Sequence, residues 1–111
     1  MLLPRDTNQH GTIFGGVILS YIDIAGAVEA GKHTSNRIVT VAMDQVVFKA
    51  PVRVGEVVSF YARTLRIGTT SITVHVDVEV TRDGQQIPVT HADLTFVCVD
   101  RAGHPLPVRS R

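Results

Sequence analysis

The strongest constraint on the fold is a strict alternation of apolar and polar residues between positions 70 and 81. Ile and Val occupy every second position, and polar or charged residues lie between them. A period of two places the apolar side chains on one face of a β-strand and the polar ones on the other. Segments 38–48, 57–67 and 87–99 are also rich in Val and Ile and are bounded by Gly, Pro or Asp-Gly, so they are predicted as three further strands.

A helix is predicted over residues 15–30, before the strands. Its apolar residues cover nearly every direction around a 3.6-residue period, which is typical of a buried helix, and Gly31 is a plausible end. Strands joined by tight turns must pair antiparallel. The sequence therefore predicts an α+β fold in which a curved antiparallel sheet wraps around one long central helix, within a single domain over residues 1–111. Such a sheet leaves an edge and part of the helix uncovered, so self-association is expected.

The Asp83-Gly84 pair is a hairpin signal between the last two strands. A hairpin closed there places His75 opposite Asp93 and Asp77 opposite His91. These would be complementary cross-strand pairs on the polar face of the sheet.

Composition limits the possible partners and the compartment. The chain has 11 Lys and Arg against 10 Asp and Glu, so no global charge bias favours nucleic acid. No apolar run reaches the roughly 18 residues of a membrane span, and the first residues do not resemble a signal peptide. The single cysteine, Cys98, cannot form an internal disulfide. We therefore expect a cytoplasmic protein with no nucleic-acid or membrane partner.

Asp23 is the residue of the predicted helix that most needs an explanation, because a lone carboxylate among Ile, Tyr and Ala is costly to bury. It is either a functional group or a structural one that caps a loop or bridges subunits. Gly15 and Gly16 begin the helix, where free N–H groups suit an anion or a developing oxyanion, or simply allow a tight turn. Gly16 and Asp23 are seven residues apart, about 10 Å along a helix. If both act on one carbonyl group, they must come from two subunits, and the monomer should be inactive.

The motif around these residues resembles acyl-CoA thioesterases of the hot-dog fold, in particular the cytosolic bacterial and brain-type acyl-CoA hydrolases. The resemblance extends over nearly the whole chain and is most specific in residues 6–16, DTNQHGTIFGG, followed by the helical Asp23. It implies hydrolysis of acyl-CoA to a free acid and CoA, with Asp23 as the essential carboxylate. It also implies that Asn8 faces Asp23 from the partner subunit and that the N–H near Gly16 polarises the thioester carbonyl. The expected assembly is a homodimer, built further into a trimer of dimers.

The same resemblance implies where the substrate binds. CoA is part of the substrate, so no cofactor is expected, and no His-x-x-x-His pair suggests a metal. His10 is expected to shape the loop or contact the ligand. The predicted substrate-binding residues are His10, Gly15, Arg66, Gly68, Thr69 and Ser71.

Several alternatives remain open at the level of sequence. Asp23 could act as general base or attack the thioester directly. A hydratase or dehydratase on the same fold would resemble an Asp-x-Asn-Pro-x-His pattern, but Gln9 and Gly11 occupy the Pro and His positions. A non-catalytic acyl-CoA-binding protein is the third class. The chain departs from the family in a short segment before Pro4 and in a short C-terminal end, where relatives contribute a strand and CoA contacts.

Overall fold

The computed structural model describes residues 15–109, which form one helix and one sheet. A short 3-10 turn, Gly31–His33, follows the helix. Each predicted strand is present, with bounds within two residues of the expected ones. The elements are α1 (Gly15–Ala30), β1 (Arg37–Phe48), β2 (Val57–Ile67), β3 (Ser71–Arg82) and β4 (Gln85–Val99).

The four strands form one antiparallel sheet in the order β1-β4-β3-β2. Asp83 and Gly84 connect β3 to β4 with φ values of 52° and 76°. Two successive left-handed residues are typical of a two-residue hairpin, whose twist matches that of the strands. The resulting register pairs His75 with Asp93 and Asp77 with His91, which confirms the predicted cross-strand pairs.

The core lies between α1 and one face of the sheet, here called the helix face. Alternate residues of β3, from Ile72 to Val80, are fully buried on that face. The helix contributes a row of buried residues spaced by four, so that they stack on one side of α1. That row consists of Ile18, Ile22, Gly26 and Ala30.

A β-bulge in β1 determines which polar side chains face the helix. Thr40 pairs with Phe96 and Ala42 pairs with Thr95, so Val41 is an extra residue in the strand. Thr40 lies on the helix face because its partner Phe96 belongs to the core. In a regular strand, Asp44 would share that face, but the bulge moves it to the opposite, outer face beside Asp93.

The helix is not fully covered in a single chain. Ile24 and Val28 are 59% and 64% exposed, so one side of α1 is apolar and open. This is the uncovered helix surface that the sequence predicted for a self-associating domain. Within residues 15–109, no helix is long and apolar enough to cross a membrane.

Candidate active site

Asp23 lies on the flank of α1 that faces the edge strand β1. Its neighbour Ile22 belongs to the buried row, so Asp23 itself is only half-buried. The Thr40 hydroxyl donates a hydrogen bond of 2.6 Å to Asp23 Oδ1. Thr40 is exposed, and the carboxylate therefore lies at the border between core and solvent. A carboxylate that keeps water access and has an uncharged donor remains able to accept a proton.

The start of α1 has the geometry expected of an anion-binding helix end. A Cβ atom added to Gly15 would lie 3.2 Å from the Phe48 ring, so a side chain there would press on that ring. Among residues 15–109, nothing lies within 4 Å of a Cβ atom added to Gly16, and Gly16 is exposed. The first four N–H groups of a helix have no partner within it, and the Gly16 amide is one of them.

A cavity of about 330 Å³ opens beside this helix start. Its wall is mostly apolar and includes the side chains of Ile18, Phe48 and Val52, with Lys49 and Thr90 as polar members. Asp23 is not part of the wall. Since Gly16 and Asp23 are about 10 Å apart along the helix axis, a small carbonyl group at the Gly16 amide is beyond the reach of Asp23 in the same chain.

Four of the predicted substrate-binding residues lie in and around the turn between β2 and β3. Gly68 N–H donates to the Ser71 carbonyl at 2.8 Å, and a Cβ atom on Gly68 would lie 2.7 Å from Ser71 Oγ. A larger residue at position 68 would therefore require the Ser71 side chain to move. Thr69 O accepts a hydrogen bond of 2.8 Å from Val108 N, so the C-terminal segment is attached to the turn. Arg66 is exposed at the end of β2.

The β2–β3 turn lies well away from Asp23. Residues Thr40, Phe96, Ile72 and Ile67 form one cross-strand row from β1 to β2. Three strand spacings of about 4.8 Å separate Thr40 from Ile67, or roughly 14 Å. The structure thus brings Asp23 and Thr40 together but keeps them apart from Arg66, Gly68, Thr69 and Ser71. Asn8 and His10 lie outside the described residues.

Thr40 is the site residue that sequence reasoning missed. Its position in a Val-rich strand indicated only β-structure. Its orientation follows from its pairing with Phe96 of β4, a residue far away in the chain. The contact with Asp23 also spans 17 positions of the chain, so no local spacing predicts it.

A second polar cluster lies at the other end of the helix and has a structural role. Thr64 Oγ donates to Glu29 Oε2 at 2.8 Å and lies 2.7 Å from His33 Nε2, which must then act as the donor. The hydrogen bond from Thr64, assisted by Lys32, holds the pKa of Glu29 below its usual value. These contacts fasten the end of α1 to β2. Across residues 15–109, no three His, Cys, Asp or Glu side chains are grouped closely enough to bind a metal.

One helix packed on one face of a four-stranded antiparallel sheet is the arrangement of the hot-dog fold. The sequence profile of the thioesterase superfamily matches residues 10–87. This chain belongs to that superfamily.

Individual relatives extend the likeness to the whole chain. The acyl-CoA thioester hydrolase YciA of Salmonella typhimurium is 41% identical over 113 aligned residues, which cover 97% of this chain and 85% of that protein. The crystal structure of the hexameric thioesterase y2039 from Yersinia pestis superposes with a TM-score of 0.93 at 42% identity, covering 99% of this chain and 92% of that one. Cj0915, a hexameric hot-dog thioesterase of Campylobacter jejuni, superposes with a TM-score of 0.89 at 45% identity, covering 98% and 86%.

Proposed function

We propose that this protein hydrolyses acyl-CoA thioesters to a free carboxylic acid and CoA. The observation that carries the proposal is the Asp23 carboxylate on the central helix, accepting a hydrogen bond from Thr40 at 2.6 Å. It occurs in a fold whose relatives are named acyl-CoA thioester hydrolases. The class of chemistry and the position of a suitable carboxylate therefore agree.

In the proposed mechanism, the carbonyl oxygen of the thioester accepts a hydrogen bond from the Gly16 amide. That donor stabilises the negative charge that develops on the oxygen as the carbonyl carbon is attacked. In the general-base route, Asp23 takes a proton from the attacking water, the C–S bond breaks and CoA leaves as a thiol. In the nucleophilic route, an Asp23 oxygen attacks the carbonyl carbon, the C–S bond breaks and CoA leaves as a thiolate that takes up a proton. A water then hydrolyses the mixed anhydride, which releases the acid and restores the Asp23 carboxylate. Asn8 positions the water or the carbonyl, and Thr40 holds the carboxylate in its reactive orientation.

The active site is proposed to be composite, with Asp23 from one subunit and Asn8 and Gly16 from its partner. The 10 Å between Gly16 and Asp23 along one helix supports this arrangement. So does the apolar side of α1 around Ile24 and Val28, which is open in a single chain. The unit is a homodimer related by a two-fold axis, assembled into a trimer of dimers. The relatives from Yersinia pestis and Campylobacter jejuni are hexamers.

Substrate recognition is assigned to residues on both sides of this site. The CoA moiety lies along the subunit interface toward the β2–β3 turn, about 14 Å from Thr40 in the same chain. No cofactor takes part, because CoA is part of the substrate, and residues 1–111 act as one domain in the cytoplasm. The assigned residues are His10, Gly15, Arg66, Gly68, Thr69 and Ser71.

The release of free thiol from acetyl-, butyryl-, hexanoyl- and palmitoyl-CoA tests the proposed activity directly. Steady turnover of one or more of these substrates supports hydrolysis. Absence of thiol release from all four, with binding retained, would identify a non-catalytic acyl-CoA-binding protein. Conversion of an enoyl-CoA without thiol release would identify the hydratase class.

A single-turnover reaction in water enriched in oxygen-18 distinguishes the two routes for Asp23. In the nucleophilic route with water attacking the mixed anhydride at the Asp23 carbonyl carbon, one turnover leaves the label in the peptide that contains Asp23, and the released acid carries an oxygen that came from Asp23. In the general-base route, the label enters only the released acid. Mass spectrometry of that peptide reads the outcome.

A further inference from the structure

Gly26 is a position where the central helix lies close to side chains of the sheet. It is buried in the middle of α1, and a Cβ atom added there would lie 3.2 and 3.3 Å from two carbons of the Phe96 ring and 3.5 Å from Leu94 Cδ2. Glycine is among the least favourable residues in a helix interior, so local preference does not explain its presence. The close approach of Phe96 does explain it, because a methyl group would displace the ring or the helix.

Phe96 also lies directly beside Thr40 in the sheet. The two residues are register partners between β4 and β1, and Phe96 is 1% exposed. The ring therefore lies under Gly26 and next to the residue that holds Asp23. Gly26 follows Asp23 by three positions, so both lie on neighbouring parts of the same helix surface.

The size of the buried residues decreases along α1. The buried row begins with Ile18 and Ile22 and continues with Gly26 and Ala30. The buried residues of the first half of α1 are therefore large, and those of the second half are small. Asp23 lies at this transition, where the height of the helix above the sheet sets the distance from its carboxylate to the Thr40 hydroxyl.

We propose that Gly26 and Phe96 form a positioning pair that sets the height of α1 over the sheet, and through it the hydrogen bond between Thr40 and Asp23. The pair does not touch substrate. Its role rests on the proposed function, because it matters for turnover only if Asp23 is the catalytic carboxylate. An added methyl at position 26 moves the carboxylate by a few tenths of an ångström relative to Thr40 without blocking the substrate.

The test compares kcat and KM for Gly26→Ala, Phe96→Leu and the double variant. We expect Gly26→Ala to lower kcat about ten-fold with KM within two-fold, since small misplacements of a reacting group reduce turnover steeply. Phe96→Leu removes the ring and also lowers kcat. The double variant replaces the lost ring volume partly with the new methyl, so it should lose less than either single variant. Gly31→Ala is the matched control, because nothing lies within 4 Å of its Cβ position, and it should keep wild-type kcat.

The recovery in the double variant separates positioning from general destabilisation. Wild-type kcat in Gly26→Ala, or losses that multiply in the double variant, would overturn the proposal. If Gly26→Ala does not fold, the double variant provides the test. A double variant that folds and turns over substrate supports the positioning pair, and one that fails to fold or to turn over refutes it. The Asp23→Asn variant separates a failure of the positioning pair from a failure of the proposed catalytic role of Asp23. If Asp23→Asn is inactive while Gly26→Ala is fully active, only the positioning pair fails; if Asp23→Asn is active, the proposed role of Asp23 fails as well.

Discussion

Two carboxylates on opposite sides of the sheet accept hydrogen bonds of equal length from donors of different chemistry. Asp23, on the helix face, accepts from the neutral hydroxyl of Thr40 at 2.6 Å. Asp93, on the outer face, interacts with Nδ1 of His75 at 2.6 Å. The other ring nitrogen of His75 lies 3.0 Å from Asp77 Oδ1.

In the outer cluster, one histidine is shared by two carboxylates. A neutral imidazole has only one N–H, so His75 can donate to both aspartates only as an imidazolium. Burial alone would lower the pKa of His75, but the hydrogen bonds with Asp93 and Asp77 outweigh burial and raise it. In the same cross-strand row, Arg63 pairs with His75, and Asp44 pairs with Asp93. The ring centroids of His75 and His91 are 5.6 Å apart. Asp23, by contrast, accepts its hydrogen bond from the uncharged hydroxyl of Thr40. The two carboxylates therefore differ in the charge that their donors can carry, while the distances to those donors are equal.

Removing the donor to Asp23 should have the larger effect. Thr40→Val keeps the shape of the strand but deletes the hydroxyl, so the carboxylate loses its orientation. We expect kcat to fall about 10–100-fold with little change in the unfolding free energy, because Thr40 is exposed. Thiol release and thermal denaturation measure the two quantities.

Thr40→Ser is the matched control for that substitution. Serine retains the hydroxyl and should retain most of kcat. Equal activity in the valine and serine variants would contradict the assigned role of the hydrogen bond.

Removing the donor to Asp93 should affect stability and leave turnover unchanged. His75→Gln replaces the imidazolium with a neutral side chain and leaves Asp77 and Asp93 without a cationic partner. We expect the unfolding free energy at pH 6 to fall by about 1–2 kcal/mol, as for the loss of a charge-assisted hydrogen bond. His104→Gln is the control, because His104 is 77% exposed and its contact with Asp100 is 3.5 Å long. A large loss of kcat in His75→Gln would show that the two faces are not independent.

The pH dependence of stability follows from the same cluster. The pKa of His75 is raised above its ordinary value of 6.5. Its stabilisation is therefore complete below pH 6.5 and is lost as the pH rises through the folded-state pKa. The pKa of Glu56 is lowered from 4.5, first by the hydrogen bond from Arg82, so its contribution is present above pH 4.5 and is lost on acidification.

Urea denaturation across pH should thus show a decline above pH 6.5 that is absent in His75→Gln. The acid-side decline should remain in that variant. An identical alkaline slope in both proteins would refute the assignment to His75.

The smallest expected effect concerns the cluster at the end of α1. Thr64→Val removes the hydroxyl that contacts both Glu29 and His33. We expect a loss of about 0.5–1.5 kcal/mol in the unfolding free energy and unchanged KM and kcat. A change in KM larger than two-fold would instead connect this end of the helix with substrate binding.

The fold was predictable because its signals are local and repeated. Alternation over β3, the apolar helix before Gly31 and the Asp83-Gly84 turn each act within a few residues, and together they determined the register that places His75 opposite Asp93. Asp23 was predictable as a candidate because a carboxylate is rare among apolar helical neighbours. Thr40 was not, because its contact with Asp23 joins positions 17 residues apart and exists only in the packed structure. The Gly26–Phe96 contact was hidden for the same reason: it joins positions 70 residues apart and exists only in the packed structure.

The central claim is tested most directly by measuring thiol release from Asp23→Asn beside Asp93→Asn, each in its native oligomeric state. We predict that Asp23→Asn loses about 10³-fold in kcat/KM, the range of general acid–base catalysis, and unfolds at the wild-type temperature. Asp93→Asn should unfold at a lower temperature and turn over normally. Wild-type turnover in a correctly assembled Asp23→Asn protein would contradict the account.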